Sequence, residues 1–125
     1  MGSRMIHTLQ QKGYVIFIVD LSNASEELFC HTISKIEKKA MESTVPFAII
    51  NKTNQLFINA KMRQVSSKIG ANLKTNELFI GICIYGSFSS FVTIVVKFAF
   101  SEMNFGRNLK ECVQILKTRF NSKSI

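Results

Sequence analysis

The sequence predicts an α/β domain with a mostly parallel sheet of four to five strands and an antiparallel strand at its N-terminal edge. Short apolar runs alternate along the chain with longer segments whose apolar residues recur at helical spacing. Buried strands that alternate with helices imply right-handed crossovers and helices packed on the sheet. The 125 residues, of which 46% are hydrophobic and 19% charged, suit one globular domain.

The first two predicted strands form a hairpin. Residues 6–9 are a short candidate strand, and the polar residues 10–13 turn the chain into the apolar run 14–19. A run that is apolar on both faces is typical of a central strand. The hairpin makes the first strand antiparallel to the second.

Two helices are predicted to follow the second and third strands. Asn23 and Ser25 are candidate N-caps for the first helix, whose apolar residues recur from 28 to 40 before Pro46. A short buried strand at 47–50 and a loop at 51–54 come next. Apolar residues from 58 to 73 then mark a second amphipathic helix.

A charge-free stretch, residues 78–96, reaches the length of a membrane-spanning helix. Gly86 and Ser87 in its middle are typical of a turn and a helix cap, so we interpret it as a buried strand at 78–85 followed by an apolar third helix. This interpretation predicts no integral membrane segment. An edge strand at 103–105 and a last helix, opened by Asn108 and Glu111 at capping-box spacing, complete the order β-β-α-β-α-β-α-β-α.

The ends of the chain set the expected domain boundaries. Residues 1–4, ahead of a second methionine, have the composition of a cloning scar. We expect a single domain over residues 5–121 and a frayed tail at 122–125. The cysteines are widely spaced in apolar contexts and are interpreted as buried, reduced thiols of a cytoplasmic protein: Cys30, Cys83 and Cys112.

The element order resembles the STAS domain family in its SpoIIAA-like branch, which shares a Sec14-like architecture with lipid-binding domains. The best-matched segments are the strand 17–20 with the following Leu21-Ser22-Asn23-Ala24-Ser25, the strands 47–51 and 79–86, and the helix after Phe105. The resemblance covers nearly the whole chain. It implies a SpoIIAA-like fold and a non-catalytic interaction or regulatory module.

One segment departs from that family's pattern. The anti-sigma-factor antagonists of the family carry Asp-Ser-Ser-Gly before the second helix, and a partner kinase phosphorylates its serine. Here the corresponding residues 51–57 read Asn-Lys-Thr-Asn-Gln-Leu-Phe, with no Ser-Gly pair. Thr53 is the hydroxyl that a kinase would find at this place.

Residue types that carry catalysis are not grouped along the chain. There is no glycine-rich phosphate loop and no CxxC pair, and Asp20 has no second carboxylate nearby in sequence. Metal ligands are not clustered either. We therefore expect a protein that is not an enzyme, with no metal and no cofactor.

Polar residues gather where the predicted parallel strands end. The carboxyl ends of such strands meet at one edge of the sheet, where open α/β sheets bind ligands. The candidate ligand or partner edge consists of Asp20, Ser22, Asn23, Asn51, Thr53, Asn54, Tyr85 and Ser87. The alternative is that these residues only form turns and caps.

The net charge of +8 either indicates an anionic partner or only keeps the protein soluble. The region 52–74 holds basic residues and no acidic one, and its candidate basic face is Lys61, Arg63 and Lys68. This face is either a contact for phosphates or anionic lipid, or simply solvated. Aromatic residues are not interleaved with the charges, which argues against stacking on a single-stranded nucleic acid, and we do not expect a nucleic-acid partner.

The apolar third helix has more hydrophobic surface than one face of a sheet covers. Val96 and Phe100 are therefore a candidate self-association interface. The function these patterns favour is an interaction module for a protein partner or a second copy. The alternative is a carrier or sensor of a small apolar or amphipathic ligand in a Sec14-like pocket.

Overall fold

The computed structural model describes residues 4–54, 59–87 and 103–123. Its strands form one five-stranded sheet in chain order: β1 (His7–Gln11), β2 (Tyr14–Asp20), β3 (Phe47–Thr53), β4 (Phe79–Gly86) and β5 (Met103–Phe105). β1 is antiparallel to β2, and the other neighbouring pairs are parallel. The predicted fold class, with its antiparallel N-terminal edge, is confirmed.

The β1–β2 hairpin is tighter than the sequence predicts. β1 continues to Gln11, which pairs with Tyr14, so the turn consists of Lys12 and Gly13 alone. Gly13 has a φ of +91°, which glycine adopts without steric cost. The predicted turn at 10–13 is therefore too long, because Gln10 and Gln11 complete the ladder.

The described helices are α1 (Glu26–Met41), α2 (Ala60–Lys74) and α3 (Leu109–Lys123). Each helix has a side-chain cap at its start. Ser25 Oγ accepts a hydrogen bond from the Leu28 amide at 3.1 Å. Asn59 and Asn108 cap α2 and α3 in the same way, each at 2.9 Å.

Two hydrophobic cores lie on opposite faces of the sheet. The first core lies between the sheet and α1 with α2, and includes Val19, Ile36, Phe47 and Leu73. The second lies on the face that carries α3, and includes Ile16, Ile50, Cys83, Cys112 and Leu116. β2 and β3 are buried on both faces, as their uninterrupted apolar runs predict.

All three cysteines are buried, as predicted. Cys30 lies in the first core, whereas Cys83 on β4 and Cys112 on α3 lie in the second. The side-chain interaction with Cys112 and then burial raise the pKa of the Cys83 thiol. The pair therefore behaves as part of the apolar packing between β4 and α3.

β3 is longer than predicted. Residues 51–53, interpreted as loop from their polar side chains, continue the strand because they pair with residues 84–86 of β4. The predicted third helix, with Val96 and Phe100, lies outside the described residues. Within the described ranges, no helix is long and apolar enough to cross a membrane.

Candidate functional site

The carboxyl ends of β2, β3 and β4 lie side by side. Asp20 pairs in register with Lys52, and Lys52 pairs with Tyr85. Each of the three stands two residues after a residue that packs on the α3 face of the sheet. Because alternate side chains of a strand point to the same face, these three side chains also lie on the α3 face. We call these three residues the carboxyl-edge row.

Asp20 is an exposed carboxylate at one end of the row. Its Oδ1 accepts a hydrogen bond from the Ser22 amide at 2.8 Å. Hydrogen bonding from Ser22, with the positive charges of Lys52 and Arg4 as smaller contributions, lowers the pKa of Asp20. The group is therefore a negative hydrogen-bond acceptor at neutral pH.

Tyr85 is a half-buried phenol at the other end of the row. Desolvation raises its pKa, and the nearby Cys112 and Asp20 add to the rise. Tyr85 therefore stays protonated at neutral pH, with its hydroxyl both a donor and an acceptor. The row thus presents a carboxylate, an ammonium and a phenol in a fixed order.

An asparagine pair ties the first two strand ends together. The backbone N–H of Asn23 donates to Asn54 Oδ1 at 2.8 Å, and the side-chain Nδ2 of Asn54 donates to Asn23 Oδ1 at 2.8 Å. Asn23 has a φ of 58°, a left-handed conformation that asparagine tolerates. Asn23 therefore bridges two loops and does not cap α1, which is the role of Ser25. We call this arrangement the asparagine clamp.

Gly86 brings the third strand end close to the second. Its φ is +129°, and a Cβ at this position would lie 1.9 Å from the carbonyl oxygen of Thr53. The half-buried Thr53 is thereby held in register with Gly86, and the exposed Ser87 follows at the rim. Gly86 was absent from the predicted site, although a glycine at a strand end is the signal for such a close approach.

Asn51 differs from the other predicted site residues. It follows Ile49 on the face of the first core, where it pairs in register with Val19 and Ile84. Its Oδ1 is buried and has no hydrogen-bond partner among the described residues. Because its side chain lies on the face of the first core, Asn51 lies behind the edge and not in the row.

Two residues at this edge were missed by the sequence reasoning. Lys52 lies at the centre of the row. The sequence indicated it only through its position between Asn51 and Thr53, which are both predicted site residues. Arg4, set aside with residues 1–4, donates from its guanidinium to the Ser22 carbonyl oxygen at 2.9 Å. Its backbone nitrogen also donates to Thr32 Oγ1 at 3.0 Å. Arg4 had no sequence signal, because its partners are distant in the chain.

The predicted basic face lies on α2, where Lys61, Arg63 and Lys68 are all exposed. Lys61 is close enough to α1 for its charge to oppose the rise that burial causes in the pKa of Cys30. Further along, Asn72 of α2 donates to Glu37 of α1 at 2.9 Å. The basic face therefore borders the α1–α2 seam, apart from the carboxyl-edge row.

Comparison with solved structures identifies the fold. The chain superimposes on RsbS from Moorella thermoacetica, in a serine-to-glutamate variant, with a TM-score of 0.67 at 12% identity, covering 93% of this chain and 97% of that one. RsbS is a STAS domain protein. The chain has the STAS fold. No known family profile and no curated protein sequence matches it, so the STAS likeness rests on the architecture.

Within this STAS fold the described residues of the edge offer groups that can recognise another molecule. Asp20, Lys52 and Tyr85 are a fixed acceptor, a cation and a neutral hydroxyl. In the part of the chain that the structure describes, no three His, Cys, Asp or Glu residues gather as metal ligands. The arrangement is suited to hydrogen bonding and ion pairing with another molecule.

Proposed function

We propose that the chain is a non-catalytic interaction module that binds a protein partner, or a second copy of itself, through its carboxyl edge. The observation that carries the proposal is the carboxyl-edge row, Asp20–Lys52–Tyr85, aligned by strand register. Opposite charges at fixed spacing favour one orientation of a complementary surface. Binding surfaces of this kind specify a partner without any chemical step.

The pKa shifts in the row support binding over proton transfer. The pKa of Asp20 is lowered and that of Tyr85 is raised, so both move away from neutrality. A general acid or base works best with a pKa near the operating pH. Neither group is tuned for that task.

Rigidity at the edge also supports the proposal. The asparagine clamp and the bond from the Leu21 amide to the Lys52 carbonyl oxygen, 2.7 Å long, fix the β2–α1 loop against β3. A surface that is already ordered loses less conformational entropy on binding. The STAS likeness agrees, because the family resemblance implies an interaction module.

Photo-cross-linking in cells tests the proposal. A benzophenone amino acid is placed at Lys52 or Ser87 on the edge, and at Lys117 on the outer surface of α3 as the matched control. All three positions are exposed. We expect discrete adducts from the two edge positions and none from Lys117. An adduct at twice the 14.2 kDa chain mass identifies a second copy, and any other mass identifies a different partner.

Two results of this cross-linking experiment would contradict the proposal. Equal adducts from Lys117 and the edge positions would mean that contact at the edge is not specific. The absence of adducts from both edge positions, in chains that fold normally, would remove the carboxyl edge as the binding surface.

A further inference from the structure

One side of the sheet ends in a strand with a free outer edge. β1 (His7–Gln11) is the first strand in the sheet order, and among the described residues only β2 pairs with it. Its residues are exposed or half-buried. An edge strand presents backbone N–H and C=O groups to solvent, and these groups are a template for one more strand. The outer side of β1 is therefore a second surface of the domain at which another chain can pair.

The hydrogen bonds of β2 show which backbone groups of β1 face outward. The Val15 N–H donates to the Pro46 carbonyl oxygen at 3.0 Å, so the backbone of Val15 faces β3. Val15 pairs in register with Gln10, and in an antiparallel ladder such a pair exchanges no hydrogen bonds. The N–H and C=O of Gln10 consequently face away from the sheet. Those of Thr8, two residues earlier, do the same because the pattern alternates.

A further strand can reach these outward groups. Thr8 and Gln10 are both exposed. The Gln11 side chain donates from Nε2 to the Gln10 carbonyl oxygen at 3.0 Å. A carbonyl oxygen has two lone pairs, so this local bond leaves the oxygen able to accept a second hydrogen bond.

β1 lacks the features by which proteins usually protect an edge strand. Its residues His-Thr-Leu-Gln-Gln include no lysine and no proline. The pairing with β2 runs through all five residues without a bulge. Lysine, proline and bulges prevent unwanted pairing at an edge. Their absence from β1 favours an edge that is used for binding.

The charge around this edge is positive. Residues 4–19 include basic residues and no acidic one, and Asp20 lies beyond the end of β1. Lys39 of α1 is exposed, and its Nζ lies 5.9 Å from the ring centre of Phe17, which pairs in register with Thr8. Two paired β1 strands would bring the cations of both copies together, which like-charge repulsion disfavours. The charge thus favours a different chain that carries acidic side chains.

We propose that the outer side of β1 binds an extended acidic segment of another protein, which adds a sixth strand to the sheet. The backbone of the segment exchanges hydrogen bonds with Thr8 and Gln10. Its side chains opposite these two residues are acidic and lie on the α1 face, beside Lys39. An apolar side chain covers the half-buried Leu9 on the α3 face. The contact goes beyond the proposed function, because it shares no residue with the carboxyl-edge row.

Amide chemical shifts of the full chain, titrated with capped peptides, test this contact. The probe Ac-Thr-Glu-Val-Glu-Thr-NH2 places valine opposite Leu9 and the glutamates opposite Thr8 and Gln10. We expect saturable shifts at residues 6–12. The same peptide N-methylated at both glutamates lacks the N–H donors for the outward carbonyls, and we expect it to bind at least about tenfold more weakly. The charge-reversed Ac-Thr-Lys-Val-Lys-Thr-NH2 is expected to bind severalfold more weakly.

Variants of the chain separate strand pairing from general attraction to a basic protein. Thr8→Pro removes an outward N–H and leaves the ladder to β2 intact, because that N–H takes no part in it. We expect at least about tenfold weaker binding, whereas Thr8→Val keeps the N–H and binds normally. Lys39→Gln is expected to weaken binding severalfold, and Lys117→Gln, on the outer surface of α3, to leave it unchanged. Unshifted amides in the core show that each variant is folded.

The results that overturn the proposal are equally specific. They are the absence of saturable shifts at residues 6–12, equal binding of the N-methylated peptide, undiminished binding by Thr8→Pro, and equal losses in Lys39→Gln and Lys117→Gln. Shifts of the β1 amides that depend on the concentration of the chain itself, without peptide, would assign the edge to a second copy and overturn the acidic partner.

Discussion

Gly86 shows how a single residue sets the geometry of the edge. Its φ of +129° is strained for any other residue, and an added Cβ would lie 1.9 Å from the Thr53 carbonyl oxygen. Both penalties act on backbone atoms, which no rotamer change relieves. We expect Gly86→Ala to lower the free energy of unfolding by more than about 2 kcal/mol in urea titrations.

Gly81→Ala is the control for that substitution. The described atoms nearest to its new Cβ belong to the flexible Arg119 side chain, at 3.0 Å, and Gly81 lacks a positive φ. The side chain can move by a few tenths of an ångström, so the loss of stability is expected to be smaller. Equal losses at the two glycines would contradict the account of Gly86.

Asp20 is a second single residue with a testable effect, because its contribution to folding stability depends on pH. Because its folded pKa is lowered below the ordinary 3.8, its stabilisation is complete above that value and is lost as the pH falls through the lowered pKa. The stability difference between wild type and Asp20→Asn is therefore expected to be constant above about pH 5 and to shrink below pH 3.8. A difference that grows on acidification, in urea titrations from pH 6 to 3, would mean that the pKa is raised.

At the scale of elements, the asparagine clamp couples the loop after β2 to the end of β3. Asn54→Ala removes both hydrogen bonds to Asn23, at about 0.5–1.5 kcal/mol each. We expect the Asn23 amide to exchange with solvent faster in this variant, while core amides of β3 such as Ile49 stay protected. Asn121→Ala, at an exposed position of α3, is the control. An unchanged Asn23 amide would show that the clamp does not hold the loop.

The elements also show what the sequence could and could not predict. Apolar runs identified β2, β3 and β4, because burial on both faces demands side chains of that kind. The polar residues 51–53 were interpreted as loop, yet pairing with β4 keeps them in the strand. The residue at which a strand ends thus depends on its pairing with the neighbouring strand, and a single sequence does not reveal that pairing.

The predicted edge divides in the same way. The predicted topology brings the strand ends to one edge, and the structure places Asp20, Asn23, Asn54 and Tyr85 there, while their role in binding stays a prediction. Lys52 was passed over because a lysine in a basic chain carries no signal of its own.

At the scale of the whole molecule, the net charge of +8 bears on self-association. Like charges oppose association between two copies, so a self-complex needs apolar contact. The candidate interface at Val96 and Phe100 supplies such contact and remains a prediction. Analytical ultracentrifugation at micromolar concentration is expected to show a dimer that Phe100→Glu converts to monomer. A monomeric wild type would leave a different protein as the partner of the carboxyl edge.

We expect this STAS-fold domain to bind its partner through the carboxyl-edge row. The decisive measurement is hydrogen–deuterium exchange of the chain, free and in the complex isolated by cross-linking. Binding through the row slows exchange in residues 20–23, 51–54 and 85–87 and leaves the outer surface of α3 unchanged. Slowed exchange confined to α3 would rule out the carboxyl edge as the binding surface.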